Sequence, residues 1–258
     1  MELERNPGST FDLDRIAAVL EGLEETIIYR LLDRCQFARN LTAYQSVASS
    51  LPGCDDCSLL EARLRMQEEM DARFGRFMVP EERAFSDKLP AAQRTPPKAD
   101  NEFPPLNFDL AKQSAAILQS YGPLLDAICG SGDDGHYGSS VEMDVGVLQA
   151  IARRIHFGAL YVAESKLLAN PGEYQPLIEL GDSAGLLRLL TRPEVEARIL
   201  VRVRQKIDYL QRAVNTRIRR VVDPEIIMDY YRNSIIPLTK QGEIAWLLAH
   251  SKSGAPHV

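Results

Sequence analysis

The chain is poor in the residues that mark secreted, membrane-spanning or metal-dependent proteins. Its 258 residues include only four cysteines, four histidines and one tryptophan. No apolar run approaches the roughly 18 residues of a membrane span. The opening stretch MELERNPGST is charged and has no apolar signal core. A soluble cytoplasmic protein is the expectation, with no membrane partner. Cys54-Asp55-Asp56-Cys57 is a lone CxxC. A zinc site needs a second ligand pair, and no strand-like segment surrounds the motif to make a redox unit. The cysteines therefore read as free thiols. No second histidine stands at metal-ligand spacing from His156. That residue reads as a hydrogen-bonded structural histidine, and no metal is expected. Positive charge is also scarce. A formal net charge of −6 leaves no general basic field for nucleic acid or an acidic membrane. An anionic ligand would need a local cluster of Arg and Lys. GxSxG, P-loop and GxGxxG motifs are all missing; the Gly-rich stretch 130–138 lacks the Lys-Ser/Thr end of a P-loop.

What the sequence has is helical periodicity. Leu13, Ile16, Leu20, Leu23, Ile27, Leu31 and Cys35 step by three and four over residues 12–38, one stripe of a helix that Asp12 or Asp14 could cap. Residues 58–77 predict a second helix, broken near Pro80. Residues 86–108 hold Pro90, Pro96, Pro97, Pro104 and Pro105 and predict a loop. Residues 109–129 read as helix, and Gly130 to Gly135 as a breaker. The longest helical pattern covers 140–169, with Val141, Val145, Leu148, Ile151, Ile155 and Val162 on its apolar side, and Asn170-Pro171-Gly172 ends it. One or two short helices follow over 174–190. Thr191, with Glu194 as capping-box partner, is expected to start another that runs to about Asn215. Asp223-Pro224 opens the last helix, which should kink at Pro237. No repeat and no convincing alternating strand occurs. The expected fold is all α, a single-domain bundle of many helices over residues 1–258, with its core at about 11–249.

Charge placed inside these amphipathic helices is the functional signal. Arg153 and Arg154 precede Ile155-His156-Phe157-Gly158 in the long helix, and Glu164-Ser165-Lys166 follows. Glu196 lies in the first turns of the next long helix. Thr239 and Glu243 are four apart and share a face. Packed helices could bring these groups into one interior pocket holding at least two cations beside two carboxylates. The same residues could instead form an ordinary solvated face.

The run Arg153 to Gly158, then Val162-Ala163-Glu164-Ser165-Lys166, resembles the signature of the yeast and plant chorismate mutases. Colinear resemblances are Glu24 to Tyr29, Asp133-Asp134 with Tyr137-Gly138-Ser139, Val195-Glu196, and Ile236 to Glu243. Together they span about residues 11–249. The resemblance implies an intramolecular Claisen rearrangement of chorismate to prephenate, with no cofactor. Chorismate is a dianion, so cations must hold its carboxylates in a compact conformer. The breaking ether oxygen gains negative charge, and donors aimed at it stabilise the transition state. By resemblance, Arg154 clamps a carboxylate, with Arg153 beside it. Lys166 serves a carboxylate and the ether oxygen, Glu196 accepts the ring hydroxyl, and Thr239 supports the site. Glu243 donates to the ether oxygen only when protonated, which needs a raised pKa and predicts activity favoured at mildly acidic pH.

Two departures from the family pattern carry their own expectations. Where the family has an Arg in its first helix this chain has Ala17, and Arg15 lies about 200° away around a helix. Arg192, where the family usually has Asn, could supply the missing cation. The family also places its Arg and Lys eleven residues apart, whereas Arg154 and Lys166 are twelve apart. In a regular helix the added residue turns Lys166 about 100° off its face. A π-bulge between Gly158 and Lys166 would restore it. The resemblance further implies a homodimer that binds tyrosine or tryptophan between subunits, through Arg76 and the Gly138-Ser139 loop. Gly75 stands where the first of an Arg pair is expected, and Glu142 replaces a Thr. A non-catalytic binding or regulatory relative, or a lyase acting on isochorismate, are the alternatives.

Overall fold

A computed structural model describes residues 11–46, 56–93, 103–104 and 106–252. Ten α-helices and no strand occur among them. Helix α1 spans Leu13–Arg34, and Asp12 caps it by accepting from the amides of Asp14 and Arg15 at 2.9 Å. Its predicted stripe is the buried one at Ile16, Leu23, Ile27, Leu31 and Cys35, while Leu13 is exposed. Helix α2, Leu59–Arg73, begins with a capping box in which Ser58 and Glu61 bond reciprocally. Most described residues of the proline-rich stretch are irregular, apart from a 3₁₀ turn that starts at Phe108. Helix α3, Ser114–Ile128, carries Pro123 inside it. No described helix is long and apolar enough to cross a membrane.

The centre of the fold is one long rod. It comprises α4, Tyr137–Phe157, a π-helical turn at Gly158–Val162, and α5, Ala163–Ala169. Helices α6, Pro171–Leu180, and α7, Ser183–Leu190, follow as a short pair. Helix α8 spans Pro193–Gln211. The last rod repeats the design of the first: α9, Pro224–Tyr230, a π turn at Tyr231–Ile235, then α10, Ile236–Lys252. Pro237 has no amide hydrogen to give its own helix. The chain widens into a π turn just before it.

Two buried clusters divide these rods. The larger takes α4 from Val141 to Ile155, together with faces of α1, α3 and α8 and the α9 end of the last rod. The smaller begins at Ala159 and takes Leu160, Ala163 and Leu167, with α6, α7 and the far end of α10 through Trp246 and Leu247. The first rod passes from one cluster to the other at its π turn, and the last rod does so only beyond Leu238. A buried ion pair fastens α1 to α4. Arg34 Nε donates to Asp144 at 2.6 Å, and the hydroxyls of Tyr44 and Tyr121 also donate to that carboxylate.

Two local expectations are corrected. Thr191 is not the cap of α8. Its hydroxyl donates back to the Leu187 carbonyl at 2.7 Å, so it closes α7, and Arg192 stands at the α8 N-cap. A threonine between two helices can serve either, and the α7 carbonyl was within reach. Cys57 is disulfide-bonded, whereas Cys35 and Cys129 are free and buried; Cys54 lies outside the described residues. The lone CxxC pointed away from zinc but left a covalent bridge open.

Candidate active site

The π turn decides where Lys166 points. Twelve residues at 100° each would leave it about 120° from Arg154; absorbing one residue brings it back to about 20°. The turn expected between Gly158 and Lys166 is at Gly158–Val162. Both cations accordingly reach the same face of α10. Arg154 Nη1 donates to Thr239 Oγ1 at 3.3 Å, and Lys166 Nζ donates to Glu243 Oε2 at 3.2 Å. Thr239 in turn donates to the Ile235 carbonyl at 2.7 Å, inside the second π turn.

Glycine allows this approach. A Cβ on Gly158 would lie 2.7 Å from Thr239 Cγ2 and 3.4 Å from Arg154 Nη1. One on Gly242 would lie 2.6 Å from the Ala159 Cβ. The first π turn and α10 can therefore meet nearly backbone to backbone.

Arg154, Thr239 and Glu243 are all buried. Burial pushes the Glu243 carboxyl above the ordinary carboxylate range, while Lys166, Arg154 and Lys240 pull against this without cancelling it. Burial also pushes the Tyr174 phenol up to about 12; Glu243 adds to that rise and Arg192 opposes it, so both act on one ring. Arg192 is exposed at the start of α8. Glu196 lies 2.6 Å from Lys240 Nζ, which also donates to Thr191 Oγ1 at 3.2 Å. Thus Arg154, Lys166, Glu196, Thr239 and Glu243 come together, with Arg192 at the margin.

Arg153 does not join them. It projects about 100° from Arg154 and pairs with Glu81 at 3.7 Å and Glu82 at 3.3 Å. Its place beside the substrate-binding group is therefore withdrawn. Ala17 is exposed on α1.

Four charged residues had no assigned role in the sequence. Glu24 is completely buried and accepts a two-pronged grip from Arg202, at 2.8 Å on each oxygen. Lys206 lies 3.6 Å and Arg154 Nη2 3.9 Å from the same carboxylate. Lys240 is the fourth, bridging Glu196 and Thr191. The available signal was spacing: Arg202 and Lys206 are four apart on α8 and share a face. Arg154 Nε and the Tyr231 hydroxyl are buried without a protein partner. A guanidinium with spare donors behind a lysine–carboxylate pair is equipped to hold an anion.

The sequence and the fold have relatives among known proteins. The chorismate mutase of Schizosaccharomyces pombe is 34% identical over 243 residues, covering 92% of this chain and 95% of the relative. The chain belongs to the chorismate mutase family. The chorismate mutase of Candida albicans, solved in complex with L-Trp, matches with a TM-score of 0.84 and 31% identity, covering 95% of this chain and 94% of that one. The chloroplast chorismate mutase of Zea mays matches with a TM-score of 0.84 and 33% identity, covering 98% and 100%. No family model matches the chain.

Proposed function

We propose that this chain converts chorismate to prephenate in aromatic amino-acid biosynthesis, without a cofactor. The observation that carries the reading is the return of Lys166 to the face of Arg154, opposite Thr239 and Glu243. In the reaction the ether C–O bond breaks as a new C–C bond forms within one molecule. Arg154 binds one carboxylate of the dianion. Lys166 binds a carboxylate and, with protonated Glu243, donates to the ether oxygen as charge grows on it. Glu196 accepts the ring hydroxyl, and Thr239 holds Arg154 in place. The test is to follow chorismate loss and identify the product. Prephenate is expected. Pyruvate would mean a lyase, and saturable binding without turnover would mean a non-catalytic relative.

Arg192 takes over the work of the cation missing at Ala17. It stands at the helix start that carries Glu196 and acts on the same tyrosine ring as Glu243. Arg192→Ala should raise KM about tenfold, the worth of one charged hydrogen bond of about 1.5 kcal/mol. An unchanged KM would remove Arg192 from the site.

The reading extends to a cytoplasmic homodimer regulated by tyrosine or tryptophan. Arg76 donates to Asp71 at 2.8 Å, Gln149 at 2.7 Å and Glu82 at 3.0 Å. Gln149 lies eleven residues along α4 from Gly138, about 16 Å of helix rise. Arg76 and Gly138-Ser139 can therefore serve one effector only across two subunits. The exposed apolar side chains Met66, Met70, Phe74 and Met78 offer a surface for that contact.

A further inference from the structure

Two histidines packed against the long rods have partners that call for opposite protonation states. His156 Nε2 accepts from the backbone amide of Gln113 at 3.1 Å, which only a neutral ring can do. Burial, with Arg83 and Lys112, pushes its pKa down to about 3. His250 instead faces acceptors on both sides. Its Nδ1 lies 3.1 Å from the Trp246 carbonyl oxygen, and its Nε2 lies 3.1 Å from Glu164 Oε2. A carbonyl and an ionised carboxylate can only accept. A ring that donates from both nitrogens is an imidazolium.

Glu164 is buried, and its Oε2 also accepts from Trp246 Nε1 at 2.9 Å. Without a cation beside it, a carboxylate so placed would be strongly disfavoured. Among the described residues, Glu164 from α5 is a charged group that faces His250; from its own helix the ring meets the backbone at Trp246 and Leu247. Burial alone would lower the imidazole pKa, but Glu164, with the backbone at Trp246 and Leu247, reverses this and holds it above the ordinary value.

The placement gives this pair a use. Glu164 and Lys166 both belong to α5, while Glu243, Trp246 and His250 all belong to α10. Trp246 and His250 follow Glu243 by three and seven residues, along one helix face. The same two helices are thus cross-linked twice, by Lys166–Glu243 and, one to two turns beyond, by Glu164 with Trp246 and His250.

We propose that His250 is a positioning residue: as an imidazolium held by Glu164, it clamps α5 to α10 and sets the approach of Lys166 to Glu243. This rests on the reading that Lys166 and Glu243 serve the ether oxygen. The clamp is complete below the ordinary histidine range and is released as pH rises through the raised pKa of His250.

Nitrogen NMR of the wild-type chain, followed through a pH titration, tests the charge. Both ring nitrogens of His250 should stay protonated to higher pH than those of an unperturbed histidine; loss of one proton at or below the ordinary histidine range would overturn the proposal. A double-mutant cycle tests the positioning. His250→Ala and Glu164→Gln should each lower kcat about tenfold with KM within about twofold, and the double variant should fall no further. Additive losses in kcat, or a lower Tm at unchanged kcat, would leave His250 merely structural. The NMR arm stands even if Glu164→Gln does not fold. A wild-type chain that makes no prephenate would overturn the functional reading itself, and NMR would still decide the protonation of the clamp.

Discussion

Exchanging Lys166 for methionine is expected to lower kcat by about 10²–10³-fold, the usual effect of removing one donor from a developing oxyanion. Methionine keeps most of the length and apolar stem of lysine, so the α5 packing around it should survive. The change leaves Glu243 buried without its 3.2 Å partner, and the carboxyl then stays protonated more readily. Steady-state kinetics with thermal melting as the control would check this. A kcat within tenfold of wild type, at an unchanged Tm, would place Lys166 away from the reacting oxygen.

The second large effect belongs to Glu243. Only its neutral form can donate to the ether oxygen. That form prevails below a pKa that burial has raised, so kcat should be full on the acid side and fall as pH rises through it. Stability follows the same sign. The folded chain holds this proton to higher pH than the unfolded chain. The contribution is fully present below the unfolded carboxyl pKa and lost as pH rises through the folded one. Glu243→Ala should cost about 10²–10³ in kcat. Glu243→Gln donates at every pH; its rate should stay within about tenfold of wild type, without the limb assigned to Glu243. The loss expected from His250 should remain in that variant. A wild-type kcat that climbs with pH through the neutral range would rule out a protonated Glu243.

Much of the fold was legible because periodicity is local. The stripes of α1 and α4 are the buried ones at most of the predicted positions. The π turn was legible for another reason: twelve residues apart, Arg154 and Lys166 can share a helix face only if one residue is absorbed between them. The pairings around Glu24 were not readable. Arg202 is 178 residues away from it, and helix spacing says nothing about which distant helix faces which. The same limit hid the Lys240–Glu196 pair. Arg153 was misplaced because two adjacent arginines look alike in a sequence, yet on a helix they point about 100° apart. Nor could the second π turn be foreseen, since a proline can be accommodated by a kink or by a widened turn.

The first widened turn lies where its rod leaves one buried cluster and enters the other. In an unbroken helix, the facing of every residue is fixed by every residue before it. Here the first rod is indexed twice, once to each cluster. A change that rotates α4 slightly in its own core can be taken up at Gly158–Val162 before it reaches Lys166. The chain could thus drift in sequence around α1, α3 and α4 while the grip of α5 on α10 keeps its phase.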